Sequence, residues 1–208
     1  MITGILYLRG DHRTTQNRNR RSIRLKGFDY SSNGAYFVTI CTKDRQELFG
    51  SVVGANHDLP DEQTTMILNR YGKIVDRIIK SLTDRFPVDI DICQIMPNHI
   101  HMVIIITGCS HVGVIHESPP DKRAHHDAPL HLAQPQRSLL SQIIGFLKMN
   151  SSKLIHQISD NPQFPVWQRN YYEHIIRNGQ ELFKIRQYIQ LNPNMWERDR
   201  NNPKNLYF

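Results

Sequence analysis

The run Gln94-Ile95-Met96-Pro97-Asn98-His99-Ile100-His101-Met102-Val103-Ile104-Ile105-Ile106 constrains this chain more than any other stretch. Two strand-like segments meet at a Pro-Asn turn, and two histidines follow it, two residues apart. Side chains alternate across a strand, so His99 and His101 share one face while Ile100, Met102, Ile104 and Ile106 share the other. The apolar face requires a cover of helices, and the histidine face is expected to look outward, uncovered. Two adjacent imidazoles can converge on one ion. A His-hydrophobic-His triplet also occurs as ordinary surface or core packing, so the rest of the chain has to decide between the two.

The surrounding pattern supplies strands and helices in a definite order. Gly34 precedes a strand at 36–42, rich in β-branched and aromatic residues. Ile67, Tyr71, Ile74, Val75, Ile78 and Leu82 recur at helical spacing and predict a first helix over about 65–82. A second strand, 88–95, leads through the Met96-Pro97-Asn98 turn into the histidine strand. Leu140, Ile143, Ile144 and Leu147 mark a second helix with Ser138 as its N-cap. A fourth strand falls within 164–176, where Pro165 confines any pairing before it to an edge. The last helix, about 180–191, buries Leu182, Ile185 and Ile189 and stops at Pro193. Strand, helix, strand, strand, helix, strand reads as an α+β, ferredoxin-like (RRM-like) split βαβ arrangement, an antiparallel sheet with helices packed on one face. No repeat or second core is visible, so one domain over 26–196 is expected. A basic arm (1–25), a His-rich insertion (108–137) and a short tail (197–208) are set apart from it.

Charge points to a polyanionic partner. Lys and Arg outnumber Asp and Glu by 26 to 19, a net +7. Arg21 and Arg24 belong to the basic arm, and Arg70, Lys73, Arg77 and Lys80 form a ridge on the first helix. Lys148 lies on the polar side of the second. Each is a candidate DNA contact; each is also compatible with a solvated surface. Three cysteines without CxxC spacing indicate neither a disulfide framework nor a zinc knuckle. No apolar run approaches the roughly 20 residues needed to span a bilayer, so a soluble cytoplasmic protein without a membrane partner is expected.

The last helix adds what the histidine pair lacks. Lys184, Tyr188 and Asn192 stand at i, i+4 and i+8 and share a face. Met96-Pro97-Asn98-His99-Ile100-His101 together with Tyr188-Ile189-Gln190-Leu191-Asn192-Pro193 resembles the single-tyrosine transposases of the HUH endonuclease superfamily, and among them the REP-associated tyrosine transposases. Arg21-Ser22-Ile23-Arg24-Leu25, Phe146-Leu147-Lys148 and Trp167-Gln168-Arg169-Asn170-Tyr171-Tyr172-Glu173-His174 extend the resemblance over about residues 21–196.

The resemblance implies a bacterial, nucleoid-associated enzyme that cleaves and rejoins single-stranded DNA at REP-like hairpins. His99 and His101 would hold Mg²⁺ or Mn²⁺, with Asn192 as third ligand by motif position. Related transposases often carry Gln there, so Asn192 brings the helix closer to the ion or leaves the place to water. Tyr188 would be the nucleophile, forming a 5′-phosphotyrosine, and Lys184 would pair with a phosphate or stay solvated. Glu173, His174 and a metal-bound water are candidate bases. Tyr171 and Tyr172 read as packing or base-stacking residues. Monomer and homodimer both remain open. A non-catalytic nucleic-acid-binding sheet and a water-using metal nuclease are the competing readings.

Overall fold

A computed structural model describes residues 28–54, 64–108 and 137–205. The basic arm with Arg21 and Arg24 and nearly all of the His-rich insertion lie outside the described residues.

Four strands form one antiparallel sheet: β1 (Gly34–Cys41), β4 (Val88–Ile95), β5 (His99–Ile106) and β6 (Tyr172–Ile176), in the order β4-β5-β1-β6. That is the order a split βαβ unit demands, because β5 returns to fill the place between β1 and β4. β2 (Gly50–Val53) and β3 (Thr65–Leu68) pair separately as a small hairpin. The helices are α1 (Arg70–Lys80), the single-turn α2 (Leu82–Arg85), α3 (Leu139–Gln157) and α4 (Gly179–Leu191).

The expected start of the first helix moves from 65 to 70. Thr65-Met66-Ile67-Leu68 has strand propensity and finds a partner in β2, which periodicity alone does not reveal. Asn69 then caps α1, its Oδ1 accepting from the N–H groups of Tyr71 at 2.9 Å and Gly72 at 3.0 Å. Gly50 opens β2 at φ 140°, a left-handed conformation that only glycine adopts freely.

The two sheet faces are covered differently. Tyr36, Val38 and Ile40 of β1 and Ile100, Met102 and Ile104 of β5 are fully buried beneath α1 and α3. Removing one such side chain from water stabilises the fold by about 1.5–3 kcal/mol. The opposite face is the histidine face, and the expectation that it lies open does not hold. Phe37 and Val103 make an apolar strip beside the histidines, and α4 buries Ile189 against it with Leu182 and Ile185 alongside. An amphipathic helix and a half-apolar sheet face cover each other.

α4 is anchored at its start. Asn178 Oδ1 accepts from Glu181 N at 2.9 Å. The Glu181 carboxylate reaches back to Arg177 N at 2.8 Å and to His174 Nε2 at 2.7 Å. The Arg177 N–H, then the His174 bond, holds that carboxyl below its ordinary value of 4.5. A depressed carboxylate stabilises the fold above its unfolded pKa and loses that contribution as pH falls through the folded one. Glu181→Gln is therefore expected to cost about 1 kcal/mol at pH 7 and markedly less in acid. Urea denaturation at the two pH values measures the difference.

Candidate metal centre and tyrosine site

The turn before β5 fixes the first imidazole. Asn98 Nδ2 donates to the carbonyls of Arg45 at 2.9 Å and Asn201 at 2.7 Å, which leaves Oδ1 facing His99 Nδ1 at 2.8 Å. An amide oxygen only accepts, so Nδ1 carries the proton and His99 Nε2 keeps its lone pair. Thr39, opposite His101 in the β1–β5 register, places Oγ1 2.8 Å from His101 Nδ1. Both outer nitrogens are thus occupied, and the two Nε2 atoms face each other at 3.1 Å.

Both rings are buried, at 0% and 2% exposure. Burial pushes His99 down to about 4, against the pull of Asp199. Burial, then the neighbouring His99, holds His101 well below its ordinary value. Two neutral imidazoles at pH 7 offer lone pairs to a cation without first losing protons.

Two oxygen donors complete the cluster. Asp199 is buried, with Oδ2 3.8 Å from His99 Nε2 and Oδ1 accepting from Asn201 N at 2.6 Å. Ligand atoms of His99, His101 and Asp199 all lie within 4.8 Å of one another. Asn192 caps the C-terminus of α4, beside His99 and Tyr188. Its Oδ1 is buried without a hydrogen-bond partner among the described residues. Such an orphan costs about 1–3 kcal/mol, which a cation would offset. Two neighbouring ligands about 2.1 Å from one ion at right angles stand about 3.0 Å apart, close to the observed Nε2 separation. The residues fit a divalent cation.

Tyr188 projects from α4 over the histidines. Its hydroxyl lies 3.3 Å from His101 Nε2, and its ring packs edge-on against Phe37 at 6.1 Å. It is still 41% exposed, so a substrate can reach it. Burial, then the Asp199 charge, raises its pKa, so the phenol is protonated at neutral pH. Arg186, two residues earlier, clamps the helix to β4. Its Nε donates to Asp91 Oδ2 at 2.8 Å and its Nη2 to Oδ1. Asp91 sits where the β4–β5 register shifts, so the irregularity aims it at α4. Arg186→Met is expected to slow any Tyr188 chemistry about 3- to 10-fold through misplacement and to leave metal affinity unchanged. Parallel rate and titration measurements check both.

The remaining sequence candidates are dispersed. Lys184 is exposed one turn before Tyr188, lining a shallow groove with Phe183 and Gln187. Arg70, Lys73, Arg77 and Lys80 are exposed on α1, in the layer across the sheet from the histidines. Lys80 pairs with Asp76 at 2.7 Å, and Arg70 lies over the Tyr71 ring. Lys148 Nζ is committed to backbone, donating to the carbonyls of Gln168 at 2.8 Å and Asn170 at 3.0 Å, and burial lowers it to about 8. His174 is tied to Glu181.

Asp199, Thr39 and Asn98 are absent from the sequence candidates. For Asp199 a signal existed. Asp199-Arg200-Asn201-Asn202-Pro203 is a turn-forming run, and its Asx bonds fold the stretch expected as a tail back under the histidines.

The fold and site together define a class: a ferredoxin-like α+β protein with a buried His-His-Asp cluster, able to hold a metal ion, beneath a tyrosine-bearing helix. No known family profile matches the chain. An uncharacterized protein of Haemophilus influenzae (strain Rd) is 36% identical over 186 residues, spanning 87% of this chain and 92% of that protein, and the chain belongs to its family. Among solved structures, a REP-associated tyrosine transposase bound to a REP hairpin is similar at a TM-score of 0.48 and 15% identity, over 82% of this chain and 72% of the other. A candidate transposase from Deinococcus radiodurans R1 is similar at a TM-score of 0.41 and 14% identity, over 80% and 96%. Among the described residues no helix is long and apolar enough to cross a membrane.

Proposed function

We propose that the protein is a metal-dependent single-tyrosine DNA strand transferase, acting on single-stranded DNA next to hairpins. The observation that carries the reading is the convergence of Tyr188 Oη, His101 Nε2 and His99 Nε2, at 3.3 and 3.1 Å along the series. A tyrosine packed for structure alone has no need of two neutral, inward-facing imidazoles with their outer nitrogens pinned.

In this reading Tyr188 Oη attacks phosphorus, the Oη–P bond forms, and the P–O3′ bond breaks to leave a 3′-OH and a 5′-phosphotyrosine. Held by His99, His101 and Asp199, with Asn192 Oδ1 beside them, Mg²⁺ or Mn²⁺ would neutralise charge developing on the phosphoryl oxygens. Phe37 and the Asp91–Arg186 clamp set the direction of the tyrosine. His101 Nε2, 3.3 Å from Oη, is a donor to the cation in this reading, so the Oη proton passes to water and the departing O3′ takes its proton from water. A phenolate, with a pKa of about 10, is a better leaving group than an alkoxide, so a DNA 3′-OH can displace it and rejoin the strand. Tyrosine and histidines come from one chain, so a monomer contains the whole site. Acting on DNA, it would work in the cytoplasm at the nucleoid.

Incubation with labelled hairpin-bearing single-stranded DNA tests the reading. A denaturation-resistant adduct formed with Mn²⁺ and lost with EDTA is expected. Metal-dependent cutting without an adduct would mean a hydrolytic nuclease, and tight binding with neither would mean a recognition module.

A further inference from the structure

Next to the histidines, where β1 and β6 meet the 168–171 segment, lies a cavity of about 250 Å³ lined by Thr39, Cys41, Arg45, Tyr171, Tyr172 and Arg200, among others. It is smaller than the roughly 300–1,000 Å³ of drug-sized ligand sites and suits a single nucleotide.

Arg45 is held there, and the side chain of Arg200 is exposed beside it. Arg45 and its neighbour Asp44 have φ of 54° and 53°, a left-handed conformation costly for residues with side chains. Arg45 keeps it because its carbonyl accepts from Asn98 Nδ2 at 2.9 Å and its Nη1 donates to Arg200 O at 3.3 Å. Neither guanidinium forms an ion pair with any described carboxylate. The Arg200 charge is felt by Tyr188, His99, His101 and Tyr172. The Asp199 charge reaches the same Cys41 thiol as both arginines, yet neither arginine is ion-paired with it, and two unpaired cations lining one cavity match an anion. The cavity adjoins the reacting groups: Thr39 lines it and also bonds His101 Nδ1, and the Phe37 ring packs edge-on with both Tyr172, at 6.2 Å, and Tyr188, at 6.1 Å.

We propose that this cavity binds the nucleotide flanking the phosphate attacked by Tyr188, its own phosphate between Arg45 and Arg200 and its base on the Tyr172 ring. The assignment of the neighbour as scissile rests on the strand-transfer reading; the binding does not.

The test titrates a short fluorescein-labelled oligodeoxythymidine against full-length protein over a range of salt, followed by anisotropy. Arg200 has an exposed side chain with no described partner, so Arg200→Ala should fold normally, which its thermal midpoint verifies. Expected are weaker binding and a log–log salt slope smaller by about 0.7 for the lost phosphate contact. Arg200→Lys keeps the slope, because the charge remains. Tyr172→Leu binds roughly 5- to 100-fold more weakly for the lost stacking. Parental affinity and slope in Arg200→Ala together with parental affinity in Tyr172→Leu would overturn the proposal. A parent that binds with these dependences but never forms an adduct removes the strand-transfer reading and leaves the cavity standing. A parent that forms the adduct while both variants bind as it does removes the cavity alone.

Discussion

Tyr188→Phe is expected to abolish the covalent protein–DNA adduct, slowing its formation by about 10⁴-fold or more. The substitution deletes only the hydroxyl. The ring contacts with Phe37 and His101 survive, as does the burial of Ile189 that docks α4. The lost bond to His101 Nε2 is worth about 1 kcal/mol, so the fold should persist with a slightly altered midpoint. Metal binding should survive too, since the phenol is absent from the donor set that fits a cation. The check is a denaturing gel with labelled DNA beside a thermal-shift titration with Mn²⁺. Loss of the adduct with an intact metal response assigns chemistry to the hydroxyl. Loss of both would make Tyr188 a structural residue.

His99→Ala and His101→Ala are expected to remove the metal response itself. A ligand that binds only the folded state at about 100 times its Kd raises stability by about 2.7 kcal/mol. The parent protein should therefore melt higher with Mn²⁺, and EDTA should return it to the metal-free midpoint. Without one imidazole the remaining Nε2 faces an empty side, and affinity should fall by more than about 100-fold, beyond the loss typical of a supporting hydrogen bond. The two variants should differ in the metal-free state, because His101 stacks on Phe37 at 5.5 Å whereas His99 leans on Asn98 and Trp196. Asp199→Asn is the intermediate case: carboxylate charge goes, an oxygen stays, and a roughly 10- to 100-fold loss is expected. A Mn²⁺ shift unchanged in all three variants would place the metal elsewhere, and no shift in the parent would leave the cluster without one.

Much of the fold was legible because its signals are local. Alternation around Ile100 and Met102 placed β5, Ser138 marked the start of α3, and Asn178-Gly179 marked the start of α4. The β2–β3 hairpin was not, because Ile67 falls into the helical period of α1 by coincidence and strand pairing is a long-range fact. The histidine pair and Tyr188 were legible as spacings, and the structure gathers them within hydrogen-bonding distance. Their burial was not, because the apolar side of α4 does not say which sheet face it will cover. Lys148 looked like a phosphate contact from charge, yet it spends its donors on the carbonyls of 168–170. Charge in a sequence carries no record of what surrounds it.

If Tyr188 and no other tyrosine joins to DNA, the mass of the peptide that carries the adduct reveals it. Trypsin releases residues 187–198 with Tyr188 as their sole tyrosine, and residues 170–177 with Tyr171 and Tyr172. After Mn²⁺-dependent reaction with single-stranded DNA and nuclease trimming, the account predicts a nucleotide-modified 187–198 peptide and an unmodified 170–177. Modification on 170–177, or DNA cut with every tyrosine peptide unmodified, would contradict it.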